Sequence, residues 1–263
     1  MHTFKAALGL ILTAIFMSGC GKETASVTTD RPADYLNLVS GKYIIYQLDS
    51  LVKSATNDTA FETHSYQAKD VMDTIVLDGT NRPSWRVYRY LRALNSTNEA
   101  DWTASDTYLV TPTSANLEVV ENNLRYLKLA APLSTGETWM GNRYIAATPG
   151  SELEYLQAWQ YSITDINNSF APFDTPIDSC ITVLQTDEGS GYADDRNPVS
   201  VDLDGYRTYS IEVYAKHIGL VYKNLVYWTF QKRSVDNAGN PSNPYPNGNK
   251  EGGGIRLRMI SHN

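Results

Sequence analysis

The clearest alternation of apolar and polar positions lies between residues 206 and 233. Tyr209, Ile211, Val213 and Ala215 alternate there with Thr208, Ser210, Glu212 and Tyr214. A period of two is typical of a strand with one buried face. The run 220–230, LVYKNLVYWTF, is apolar or aromatic on both faces, which indicates a strand covered on both sides. The pattern predicts a hairpin that turns at 215–219 in the centre of a sheet.

Shorter runs with the same period recur along the chain, separated by turn residues. The turn signals include DGTNRP at 78–83 and the Asn122-Asn123 pair, which suits a two-residue hairpin turn. The other predicted strands are 41–48, 66–77, 84–93, 106–113, 117–121, 124–129, a strand bearing Trp139, 155–166, 177–185 and 254–261. Polar segments 187–205 and 234–253 are predicted loops. Roughly ten or eleven strands predict a mainly β fold, an antiparallel meander forming a half-closed barrel or a sandwich.

The first twenty residues have the pattern of a targeting segment. Lys5 precedes an apolar run over 6–17, and Ser18-Gly19-Cys20 supplies a small-residue cleavage site. The run is about 12 residues long, whereas a membrane-spanning helix needs roughly 20. The segment resembles a bacterial lipoprotein signal, which implies a lipid on Cys20; an ordinary secretory signal is the alternative.

This pattern divides the chain into three parts. Residues 1–19 are a predicted lipoprotein signal peptide, and 20–34, small and polar, are a lipidated flexible tether. Residues 35–263 form a single antiparallel β domain, because all-β folds of this length commonly form one unit. Acyl chains on Cys20 would hold the protein to a membrane without insertion of the domain itself. The predicted location is the bacterial cell envelope, lipid-anchored at the outer membrane, periplasmic or surface-exposed.

Charge and cysteine content exclude several functional classes. The chain carries 22 Lys and Arg against 29 Asp and Glu, a net charge of −7, which argues against nucleic acid as a partner. With Cys20 lipidated, Cys180 has no partner for a disulfide, and its strand-like surroundings predict a buried thiol. The three histidines after residue 20 are isolated in sequence: His64, His217 and His262. They therefore lack the His-x-His or His-Glu-x-x-His spacing that is typical of a zinc site. No catalytic residue is assigned, and we expect a protein that is not an enzyme.

Acidic residues are concentrated between 187 and 204. Calcium takes oxygen ligands from flexible loops, which makes this segment a candidate calcium site, although a solvated acidic loop explains it as well. The candidate ligands are Asp194, Asp195, Asp202 and Asp204. No other cofactor is expected.

One face of the predicted strand 84–93 is a ladder of arginine and tyrosine. Arg86, Tyr88, Tyr90 and Arg92 alternate with Trp85, Val87 and Leu91. Flat rings and guanidinium donors on one face form a candidate binding surface for a sugar. Cross-strand pairing on a solvent-facing strand explains the same pattern.

Four segments carry a resemblance to known proteins. They are LKLAAPLSTGETWMGN at 127–142, RPSWRVYRYLR at 82–92, EVYAKHIGLVYK at 212–223 and GGGIRLRMISHN at 252–263. They resemble segments of uncharacterised bacterial lipoproteins and, more loosely, periplasmic β domains with a central Tyr-Ala-Lys-x-x-Gly-Leu-Val hairpin, some related in fold to half-barrel lipoprotein carriers. The resemblance implies location and fold, and no catalytic residue.

Three functional hypotheses follow. The first is a non-catalytic structural or binding module, held to an envelope membrane by lipid, with an envelope protein as a possible partner. The second is a carrier whose curved sheet encloses an apolar ligand such as an acyl chain, in a cavity of the size usual for ligand sites. The third is a surface glycan-binding protein or glycoside hydrolase, which needs exposed aromatic rings in a groove.

Overall fold

A computed structural model describes residues 30–263, so the predicted signal and Cys20 lie outside the described residues. The fold is mainly β, as predicted, but has more strands than the ten or eleven expected: twelve in one antiparallel sheet and two in a separate hairpin. The strands are β1 Tyr43–Lys53, β2 Phe61–Leu77, β3 Pro83–Ala93, β4 Thr103–Pro112, β5 Asn116–Glu121, β6 Leu124–Ala130, β7 Thr138–Met140, β8 Gln160–Phe170, β9 Ile177–Ser190, β10 Tyr192–Asp194, β11 Asn197–Pro198, β12 Gly205–Ala215, β13 Gly219–Gln231 and β14 Asn249–His262.

Strand order around the sheet follows the chain, which confirms the predicted meander. The order is β6-β5-β4-β3-β2-β1-β14-β13-β12-β9-β8-β7, and β10 and β11 form the separate hairpin. The sheet curls into a nearly closed barrel whose seam lies between β6 and β7. Leu127 N donates to Gly141 O at 2.8 Å, and the Trp139 indole donates to Leu127 O at 2.8 Å. These bonds satisfy backbone groups that an open edge would expose.

The predicted strand 155–166 is wrong in its first part. Glu154–Leu156 form a short 3₁₀ helix, and β8 begins only at Gln160. Tyr155 and Trp159 leave the sheet because their rings fill the interior: Tyr155 stacks on Tyr227 with centroids 3.9 Å apart. The β7–β8 connection therefore contributes to the core from one end of the barrel.

The two predicted polar loops are shorter than expected. β9 continues to Ser190, and the small hairpin of β10 and β11 occupies part of 187–205. β14 begins at Asn249 rather than near 254, because Asn249 to Gly253 pair with the end of β13. Polar side chains on these extensions hid their strand character, since they lack the apolar alternation that marks a half-buried strand.

The central hairpin is confirmed, and its register pairs Ala215 with Gly219 across the turn. The expectation of one buried face on β12 is wrong near the turn. Val213 and Ala215 are fully buried, but so is Glu212 on the other face, which is 1 % exposed. Glu212 points into the barrel, whereas Val213 and Ala215 belong to an apolar cluster against which Phe170 and Ile177, at the β8–β9 connection, pack.

Residues 30–34, assigned by the sequence to the tether, contact the hairpin turn. Asp34 O accepts a hydrogen bond from His217 N at 2.8 Å, and the Lys216 ammonium pairs with Asp30. Pro32–Tyr35 form a 3₁₀ helix whose Tyr35 is fully buried. These contacts lie at the end of the barrel that holds the 215–219 turn, which we call end A.

Within 30–263, no helix combines the length and the apolarity that crossing a bilayer requires.

Candidate functional site: a charged belt inside the barrel

Charged side chains meet inside the barrel. Lys128 on β6 donates from Nζ to Glu212 Oε1 on β12 at 2.7 Å, and both side chains are at most 7 % exposed. β6 and β12 are not neighbours in the sheet, so this contact crosses the concave side. Lys223, which pairs with Glu212 in the β12–β13 register, places Nζ 3.7 Å from Glu212 Oε1.

A second group of charges faces this one from β2, β3 and β5. Asp70 and Arg89 are cross-strand partners, and Arg89 donates through Nε and Nη2 to the two carboxylate oxygens, each at 2.7 Å. Arg89 Nη1 also lies 3.2 Å from Glu121 Oε1, and the Tyr108 hydroxyl donates to Asp70 at 2.9 Å. We call the set the charged belt: Asp70, Arg89, Glu121, Lys128, Glu212 and Lys223.

The two glutamates of the belt stay ionised, whereas burial lowers the pKa of Lys128 and the charge of Glu212 opposes that shift only in part. Burial opposes ionisation of Glu212, but the charges of Lys128 and Lys223 hold its pKa below the usual value. Burial likewise opposes ionisation of Glu121, and Lys223 and Arg89 outweigh it, so its pKa is also lowered. The belt contains three acids and three bases, and its formal charges therefore cancel.

Apolar side chains form a collar between the belt and end A. On three strands the collar residue stands two positions from a belt residue: Met72 beyond Asp70, Val87 beyond Arg89 and Val119 beyond Glu121. Two positions along a strand are about 6.6 Å, so collar and belt form successive layers. A cavity of about 100 Å³ touches both layers. The collar consists of Leu36, Met72, Val87, Val110, Leu117, Val119, Ile218 and Leu220.

The opposite end of the barrel, end B, is more open. A cleft of about 650 Å³ reaches the belt from that side, because Arg89 and Glu121 line it as well as the cavity. A second cleft of about 790 Å³ lies beside the β7–β8 connection. It is lined by Tyr155, Tyr206 and Tyr227 together with the carboxylates of Glu152, Glu154, Glu188, Asp204 and Glu251.

Comparison with protein-family models, curated proteins and solved structures finds no match to this chain. The resemblance carried by the four segments therefore stays an expectation.

The arginine–tyrosine ladder lies on the face of β3 opposite the cavity, and of its four residues Arg92 also lines the cleft of about 650 Å³ at end B. Arg86 pairs with Asp73 at 2.6 Å and lies over the Tyr88 ring at 5.0 Å. Arg92 donates to Gln67 Oε1 at 2.9 Å and lies over the Trp102 ring at 4.2 Å. Both guanidinium groups are bonded to or stacked on neighbouring side chains of adjacent strands and loops. This arrangement agrees with the explanation of the ladder as cross-strand pairing.

The four candidate calcium ligands point to different partners. Asp195 pairs with Arg207 at 2.8 Å, and Asp202 pairs with Arg233 at 2.5 Å. Asp194 accepts from Arg196 N at 2.7 Å, and Asp204 accepts from Lys232 N at 2.9 Å. In the part of the chain that the structure describes, no three His, Cys, Asp or Glu side chains come together as metal ligands.

Cys180 and His217 occupy the positions that the sequence predicted. Cys180 is a free, buried cysteine on β9, and burial raises the pKa of its thiol to about 11. His217 is exposed at the hairpin turn, with φ +61°. Neither side chain reaches the charged belt.

Sequence reasoning missed the belt because its members belong to strands far apart in the chain. Two signals were available. Arg89 occupies the apolar face of β3 between Val87 and Leu91, and Lys223 interrupts the apolar run 220–230. A charge on an apolar strand face needs a buried partner, which indicates a polar interior.

Proposed function

We propose that this protein is a lipid-anchored envelope module that works by binding rather than by catalysis, and that its barrel encloses a small ligand with a polar head and an apolar tail. The observation that supports the proposal most directly is the cavity between the apolar collar and the charged belt. A ligand site typically combines apolar walls with a few convergent polar groups.

The same geometry favours a small amphipathic ligand over an acyl chain. A long hydrocarbon would have to cover ionised side chains of the belt, and covering a charge without a polar partner is costly. The cavity, at about 100 Å³, is also smaller than the few hundred Å³ usual for larger ligands. A short tail fits the collar without covering the belt.

The ligand site can be tested with two neighbouring valines. Val119 lines the cavity, whereas Val120 lies on the opposite face of β5. We expect L-2-aminobutyrate, butyrate, propylamine or 1-propanol at millimolar concentration to raise the melting temperature of the full chain. Val119→Trp should abolish the shift and Val120→Trp should preserve it. If none of the four stabilises the protein, the proposed ligand site is wrong.

The anchor is tested separately with Cys20→Ala. The unaltered chain should incorporate labelled palmitate and fractionate with membranes, and the variant should do neither. Palmitate incorporation that persists in the variant would contradict lipidation at Cys20.

The cleft of about 790 Å³ beside the β7–β8 connection favours glycan binding as a second candidate function. Tyrosine rings and carboxylates in one open cleft are groups that contact sugars. Tyr206, 44 % exposed, presents a ring there that is available for stacking. In polysaccharide gels, the full chain should be retarded and Tyr206→Ala should run faster; equal mobility with and without polysaccharide would exclude this function.

A further inference from the structure

Two charged groups of the belt have unused hydrogen-bonding capacity. Within residues 30–263, Arg89 and Lys128 donate short bonds to carboxylates, but Lys223 Nζ has only the ionic contact of 3.7 Å to Glu212. Glu121 accepts through Oε1 from Arg89, which leaves Oε2 without a donor in this part of the chain. Both side chains are partly exposed, Lys223 to 15 % and Glu121 to 19 %, so a ligand could reach their unused bonding positions.

Both groups line the same cavity. A ligand that satisfies them needs an acceptor for Lys223 and a donor for Glu121. The belt itself is neutral, because its three acids and three bases cancel. A ligand with a net charge would add an unbalanced charge to a buried site, whereas one that carries both charges would not.

The shape of the cavity limits the rest of the ligand. The collar residues Val87, Val110 and Val119 are apolar, so the part that faces them must be apolar too. A cavity of about 100 Å³ corresponds to the space of only a few water molecules. The tail therefore has few carbon atoms.

We infer that the cavity binds a small aliphatic zwitterion, an α-amino acid with a short side chain, whose carboxylate pairs with Lys223 and whose ammonium pairs with Glu121. The inference depends on the proposed ligand site and specifies its chemistry. The ligand's two charges complete the bonding of the belt, and its side chain lies in the collar.

The four probes of the proposed function also test this inference, because they differ mainly in their charges. L-2-aminobutyrate carries both charges, propylamine lacks the carboxylate, butyrate lacks the ammonium group, and 1-propanol lacks both. In titration calorimetry on the full chain, the zwitterion should bind about tenfold or more tightly than any other probe. Tighter or equal binding of propylamine, butyrate or 1-propanol would overturn the zwitterion while leaving the ligand site intact. Absence of binding by all four would overturn both proposals.

Two substitutions assign the ends of the ligand. Lys223→Met should weaken L-2-aminobutyrate and butyrate together, whereas Glu121→Gln should weaken L-2-aminobutyrate and propylamine but not butyrate. Lys232→Met and Glu152→Gln, at exposed positions away from the cavity, are the matched controls. Equal losses for every probe in both variants would overturn the assignment of the carboxylate to Lys223 and of the ammonium to Glu121.

Discussion

Lys128 Nζ lies 2.7 Å from Glu212 Oε1, although 84 residues separate them in the chain. The pair joins β6 and β12 across the barrel interior, on the side where the β6–β7 seam interrupts strand pairing. Tyr214 adds a hydroxyl donor to Glu212 Oε2 at 2.7 Å. The two parts of the meander are thus connected through buried charges as well as through the β1–β14 pairing.

Removing one member of this pair should destabilise the barrel strongly. Lys128→Met leaves the Glu212 carboxylate buried with only Lys223 nearby, at an expected cost of about 3 kcal/mol in the free energy of unfolding. Lys128→Met combined with Glu212→Gln should recover most of that loss, because the amide still accepts from Tyr214. Urea unfolding measures the stability of the single and the double variant. A double variant no more stable than Lys128→Met would contradict the idea that the loss comes from an unpaired Glu212 carboxylate.

Acid should weaken the fold through Asp78, at the β2–β3 turn. Burial opposes its ionisation, but hydrogen bonds from Arg82 N and from Thr80 outweigh burial and lower its pKa to about 2, from a reference value of 3.8. The folded-state pKa is the lower one, so this stabilisation is present above about pH 4 and is lost as the pH falls through 2. Asp78→Asn should lower the free energy of unfolding by about 1–2 kcal/mol at pH 7 and should make it depend less on pH between 4 and 2. Asp174→Asn, at an exposed position, should leave the pH profile unchanged.

Lys250 should make the protein more stable in mild alkali. Its ammonium donates to Arg196 O and lies 4.2 Å from the Phe61 ring and 5.0 Å from the Trp228 ring. Burial lowers its pKa to about 8, below the reference value of 10.5. Between those values the unfolded chain binds the extra proton, so the free energy of unfolding rises with pH.

The rise should disappear in Lys250→Met and persist in Lys232→Met, whose side chain is 58 % exposed. Thermal unfolding at a series of pH values from 7 to 10.5 measures this rise in stability. A profile that falls between pH 8 and 10 in the unaltered chain would show that the ammonium is not desolvated.

Cys180 should react slowly in the native protein. Its Sγ lies 3.2 Å from Ile177 O, and burial raises the thiol pKa to about 11, so thiolate is scarce at pH 8. In a Cys20→Ala background, where Cys180 is the remaining cysteine, labelling by a disulfide reagent should be about 100-fold slower than in denaturant. Comparable rates would indicate that this part of β9 opens readily.

Much of the fold could be predicted from local pattern. The hairpin around Gly219 was predicted because apolar alternation and turn chemistry agree there. The start of β8 was not, because Tyr155 and Trp159 have the composition of a strand while their rings fill the interior from a loop. Local sequence does not distinguish these two uses of an aromatic residue.

The candidate site was less predictable for a different reason. A polar face on β12 normally faces water, so Glu212 was assigned to solvent. In the barrel that face meets Lys128, which is distant in the chain and whose strand gives no sign of its partner. Single residues such as Arg89 on an apolar face indicate a polar interior, but not which charges meet there.

Pairing between β1 and β14 has a consequence for the connectivity of the fold. The outer ends of the two strands meet at end A, where Tyr43 N donates to Asn263 Oδ1 at 2.7 Å. A linker from residue 263 to residue 30 would leave every strand intact and keep the buried Tyr35 in place, and new termini could be opened in 131–137, at the seam, without cutting a paired strand. The barrel is therefore suited to circular permutation, with a continuous run of neighbouring strands from one new terminus to the other.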